Sequence, residues 1–110
     1  MIAKLHLPRD YTMDEAAQRG YMSHVFIELG PDQLYPVFFY THDRLHGDLG
    51  RSATFDQPFI AETGMVVLAE MTLANIEAAV AWMVDESYFD YMMPLSRERI
   101  AAANPLHWPP

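Results

Sequence analysis

The sequence predicts an α+β domain, with an antiparallel sheet of four or five strands built from two ββα units and short helices towards each end. Three observations carry this reading. Two β-rich runs, His24 to Leu29 and Leu34 to Tyr40, flank the turn Gly30-Pro31-Asp32-Gln33. A long helical stretch, Leu73 to Glu86, follows Thr72 and sets Leu73, Ile76, Val80, Met83 and Val84 on one stripe. The spacing Thr41, Leu45, Leu49 also returns as Thr72, Ile76, Val80, with Phe26-Ile27 and Phe59-Ile60 opening the two units and Gly30 and Gly64 marking their turns.

Taken in order, Ile2 to Leu7 makes a first strand that Pro8 ends. Thr12 with Glu15 has the form of a capping box, so a helix runs from Met13 to Arg19 and stops at Gly20. The first hairpin follows. Pro36 has no N–H to donate, which places the second of its strands at an edge or a bulge. Thr41 caps a short helix that Gly47 and Gly50 weaken, and Arg51 to Pro58 reads as a loop. A second hairpin spans Phe59 to Glu70 and turns at Glu62-Thr63-Gly64. After the long helix come an aromatic and methionine cluster, Tyr88 to Met93, a break at Pro94, and a last helix from Ser96 through Ala103. The tail Asn104 to Pro110 is proline-rich and expected to be extended or loose.

A chain of 110 residues is the size of one domain, able to bury a core without a disulfide or metal staple. It contains no cysteine, which excludes thiolate catalysis, disulfide scaffolds and cysteine-ligated metal sites. No run approaches the ~20 apolar residues that span a bilayer. The first residues, with charges at Lys4 and Arg9, are unlike a secretory signal. A cytoplasmic setting and no membrane partner are therefore expected. Fifteen acids against seven bases give a net charge of −8, which opposes binding of nucleic acid. A basic protein partner suits that charge, and so does plain solubility.

Some faces that ought to be polar are not. Leu34 to Tyr40 and Met65 to Ala69 are apolar on both sides of a strand, yet helices on one side of the sheet cover only one of them. On the long helix, Trp82 lies almost opposite the core stripe, beside Ala74, Ala78 and Ala81. Cover by the C-terminal segment, through Ile100, Leu106 and Trp108, is one explanation. The other is an interface, with Trp82, Ala78, Phe38 and Tyr40 as the contact residues and a second copy of the chain as the first candidate partner.

Chemical constellations are sparse. His42 and His46 are four residues apart on a helix, a spacing at which two imidazoles reach one metal, with Asp43, Asp48 and His24 as further donors. No Glu follows His42 as the HExxH pattern requires. The competing reading is a half-buried His42 standing where the second unit has Leu73. Carboxylates recur in pairs, Glu62 with Glu70 and Asp85 with Glu86, the last at a helix end where the dipole disfavours them. Ser23, Ser52, Ser87 and Ser96 lack a nucleophile-elbow context, and there is no dinucleotide or phosphate-binding glycine loop.

These readings point to a small non-enzymatic binding protein, homodimeric and without a cofactor. Its concrete form is an acidic inhibitor or immunity-type module for a basic protein. The alternative is a small-molecule or metal-binding protein, enzymes included, that uses His42, His46 and nearby carboxylates.

Overall fold

A computed structural model describes residues 3–8 and 12–103. It is an α+β fold: a four-stranded sheet in the order β1-β2-β3-β4, with four helices. The strands are β1 (Lys4–His6), β2 (Tyr21–Gly30), β3 (Gln33–Thr41) and β4 (Met65–Leu68). The helices are α1 (Met13–Arg19), α2 (His42–Thr54), α3 (Leu73–Asp85) and α4 (Arg97–Ala103), with a single 3-10 turn at Tyr88–Tyr91. Among the described residues no helix is long and apolar enough to cross a membrane.

Local chemistry sets most boundaries. Thr12 and Glu15 form the reciprocal capping box, and Gly20, at φ 71, ends α1 in the left-handed region. A Cβ on Gly20 would stand 2.6 Å from the Thr41 hydroxyl oxygen, so the close approach as well as the backbone demands glycine. Thr41 and Thr72 accept from the N3 amides of Arg44 and Asn75 and so cap α2 and α3. Gly30 pairs with Gln33 around Pro31 and Asp32, closing the β2–β3 hairpin.

One face of the sheet builds the main core. Leu5, Val25, Ile27, Val37, Phe39, Val66 and Leu68 pack there against Ile76, Val80 and Met83 of α3, with Ala16 of α1 and Phe89 of the 3-10 turn. Each fully buried aliphatic side chain of this kind contributes about 1.5–3 kcal/mol. On the other face a smaller cluster, Phe26 and Leu34 with Ile100 of α4, covers one end. Paired backbone bonds between Leu34 and Leu95 hold the approach to α4 against the sheet, at 3.0 and 2.7 Å.

The expected second hairpin is absent: among residues 55–64 none is in a strand. β1, β2 and β3 are antiparallel, but β4 pairs with β3 in parallel, Phe38 with Met65 through Thr41 with Leu68. The sheet is mixed, and only β2-β3-α2 is a ββα unit. The cause lies in α2, which runs through both glycines to Thr54 and takes up what was expected to be loop. Arg44 grips Asp48 through Nε at 2.9 and 3.0 Å, Arg51 pairs with the same carboxylate, and the Thr54 hydroxyl donates to the Gly50 carbonyl at 3.1 Å. These contacts offset the two glycines. With a full helix after β3, the chain makes a crossover, and a strand that follows a crossover lies parallel.

Pro36 lies on an inner strand, yet its missing donor faces a gap. Leu34 N–H bonds to Leu95 and Phe38 N–H to Gly64, and Pro36 falls between them, before the β4 ladder begins at Phe38. At that one position β3 is locally an edge.

Candidate interaction surfaces

Three arrangements place side chains where another molecule can meet them. The first is the open part of the sheet's second face. Register puts Phe38 beside Met65 and Tyr40 beside Val67 on the side away from α3. Val67 is 48% exposed, and Phe38 and Met65 are half-buried. Tyr40 is only 7% exposed, because this chain covers it. Its ring lies 5.6 Å from that of Tyr21, and the Arg44 guanidinium sits 5.0 Å above Tyr21. A depression of about 500 Å³ adjoins it, lined by Tyr40, Asp48, Phe55, Ile60 and Glu62 among others. Burial above all, then the charges of Glu62 and Tyr21, push the Tyr40 hydroxyl pKa up, against the opposing pull of Arg44. Tyr40 is therefore mostly covered within the chain, whereas Phe38 is half-buried.

Beside Phe38 the β2 strand bulges. Met22 pairs with Phe39 and Val25 with Val37, so Ser23 and His24 oppose one residue, and His24 takes φ 60. Ser23 Oγ and His24 Nδ1 are 2.9 Å apart, and the Tyr21 hydroxyl reaches Ser23 at 3.3 Å. Ser23 is buried, so a Ser–His contact exists here with the hydroxyl turned away from solvent. Sequence reasoning missed it, since nothing in the local pattern announces a bulge.

The second arrangement is the outer side of α3. Trp82 is 60% exposed, and Ala74, Ala78 and Ala81 are exposed around it. Ile100, one proposed cover, is buried against Phe26 and Leu34 on the opposite side of the sheet. Leu106 and Trp108, the other two, lie outside the described residues. Alongside, a groove of about 450 Å³ opens between α3 and the outermost strand β1. Leu73, expected in the core stripe, is 42% exposed, while Ile76, Val80 and Met83 are buried.

The third arrangement is His42 and His46. Their rings are nearly parallel, at 16°, with centroids 6.2 Å apart. His42 is not half-buried: 83% of its side chain is exposed, and its Nδ1 lies 3.7 Å from Asp43. No residue of α2 is fully buried, and Leu49 on the same helix is 37% exposed. Asp48 is committed to Arg44 and Arg51. Among the described residues no group of three or more His, Cys, Asp or Glu side chains can hold a metal ion. Glu62, Glu70, Asp85 and Glu86 are all exposed.

A fourth polar cluster was not foreseen, although its signal was present as a Glu inside an otherwise apolar strand. Glu28 is 7% exposed on β2. It accepts from His6 Nε2 at 2.9 Å and Arg97 Nη2 at 2.6 Å. The His6 hydrogen bond lowers its pKa most; burial opposes, and the Arg97 bond and charge lower it further. This cluster ties β1, β2 and α4 together, and Glu28 also lines a depression of about 380 Å³ with Lys4, Leu29, Gly30 and Pro31.

No protein-family model, no curated protein and no solved structure matches the chain.

Proposed function

We propose that this protein acts by binding, without catalysis, as a homodimer whose seam is the open sheet face at Phe38, Met65 and Val67. The observation that carries the reading is the exposure of Val67 at 48% on the outermost strand of that face, β4. A strand side chain of this type on a covered face is normally buried, and dimer seams are more apolar than the rest of a surface. The residues in register with it are Tyr40 and, on the next strand, Tyr21, neither of which bears a fixed charge. At these strand positions a two-fold arrangement therefore sets no like charges against each other, the Glu62 carboxylate acting on Tyr40 from outside them.

The outer side of α3 suits a seam between copies less well. Glu77 and Asp85 border it, and a two-fold axis through Ala81 would bring carboxylate against carboxylate. Its chemistry suits a basic partner, which gives the reading its concrete form: an acidic inhibitor or immunity-type module, dimeric on one side and open to a cationic protein on the other. A cytoplasmic setting is compatible, since the fold calls on no disulfide.

The test is the solution mass by light scattering, for wild type and Val67→Glu side by side. A wild-type dimer that becomes a folded monomer in the variant supports the seam. A wild-type monomer overturns it.

A further inference from the structure

The groove between β1 and α3 has two properties that together specify an occupant. Its walls are apolar: Leu5 on β1 with Ala3 just before it, and Val80, Ala81 and Val84 on the helix. Its acids are Glu77 and Asp85, both exposed and both without an ion pair among the described residues. No Lys or Arg occurs between Arg51 and Arg97, so α3 and its flanking segments present only negative charge. The strand that contributes Leu5 to this groove, β1, is outermost in the sheet.

The spacing of the acids defines the shape of the ligand. Glu77 and Asp85 are two helical turns apart, about 12 Å, with Ala81 midway. In an extended peptide, residues four apart on one face are separated by about 13 Å, and the residue midway points the same way. An extended segment with two cationic residues around an apolar one thus matches carboxylate, small apolar side chain and carboxylate in turn. Its backbone can add to the β1 edge as a short extra strand.

We propose that this groove binds an extended basic segment of a protein partner, with an apolar residue between two Lys or Arg at alternate positions. The inference rests on the reading of the chain as a binding protein, though not on the dimer seam. Its failure is separable, because the groove shares no residue with the open sheet face.

The probe is a fluorescein-labelled peptide with Arg-Thr-Leu-Thr-Arg at its centre, followed by fluorescence polarisation at low salt. Binding to wild type is expected, together with a loss of about tenfold in Glu77→Gln/Asp85→Asn, in line with two partly exposed charge pairs. A matched peptide with Glu in place of both Arg should not bind. Methyl shifts at Leu5, Val80 and Val84 should localise the site, and unchanged thermal unfolding of the double variant shows that its fold is kept. The proposal is overturned if wild type does not bind, if the double variant binds equally well, or if the shifts fall elsewhere. Binding that emerges only after removal of residues 104–110 overturns it too, since the chain's own tail is then the occupant.

Discussion

Arg97, at the start of α4, reaches across the sheet to place its guanidinium 2.6 Å from the buried Glu28 carboxylate, while its own backbone N–H donates to Asp32 at 2.7 Å. One residue thus fastens α4 both to the last part of β2 and to the β2–β3 turn. Because the Glu28 pKa is lowered in the fold, its ionised form stabilises the protein. That contribution is complete above the ordinary carboxylate value of 4.5 and is lost as pH falls through the lowered value. Glu28→Gln should be less stable than wild type at neutral pH. In chemical denaturation, the gap between the two should narrow as pH falls from 4.5 through the lowered value. A gap independent of pH would show that Glu28 holds α4 by shape alone.

Gly64 begins the β3–β4 pairing by accepting from Phe38 N–H at 2.9 Å, and it does so at φ 79. A Cβ there would stand 2.4 Å from the Pro36 carbonyl oxygen and 3.2 Å from the Val37 Cα, both backbone atoms that cannot step aside. Gly64→Ala should cost about 3 kcal/mol, from the strained conformation and the forced separation of the strands. Urea unfolding gives the value. A cost within experimental error of zero would mean that β4 does not approach β3 this closely.

The glycines of α2 behave in the opposite way. Gly50 has nothing within 4 Å of the position its Cβ would occupy, and Gly47 has only the end of the flexible Arg51 side chain, at 3.9 Å. Neither has positive φ. Gly50→Ala should therefore raise stability by about 0.5–1 kcal/mol, read as a higher thermal midpoint. Destabilisation would instead point to a second molecule packing closely against α2.

Those same glycines explain what the sequence conceals. The capping box at Thr12, the stop at Gly20 and the caps Thr41 and Thr72 were legible because each is decided within a few residues. The direction of β4 was not, because it depends on where α2 ends. That end depends in turn on Asp48 holding two arginines against two unfavourable glycines. Apolar character on both sides of Leu34–Tyr40 announced a strand with side chains to cover on two faces: on the second face Leu34 and Tyr40 are buried by this chain, and Phe38 is half-buried. Tyr40 is covered within the chain, and the depression beside it is lined from α2 and residues 55–62, a segment read as loop and strand. Glu28 shows the converse: a charge inside an apolar strand is a visible signal, but its partners come from β1 and α4, 22 and 69 residues away in the chain.

Trp82 offers the sharpest separation of the two surfaces. Its ring stands among exposed alanines on α3, while the proposed seam lies across the sheet, on the side that α3 does not touch. Trp82→Ala removes apolar area that is already 60% exposed, so the fold should lose less than about 1 kcal/mol. Its solution mass should match that of wild type, and the mass of Val67→Glu should not. If Trp82→Ala is the variant that falls to a monomer, the copies meet through α3. Glu77 and Asp85 must then be tolerated at the contact, and the basic segment assigned to the groove beside them loses its place. Should both variants keep the wild-type dimer mass, neither apolar face is the seam, and the outer edge of β4 becomes the surface to alter next, since β4 closes its side of the sheet.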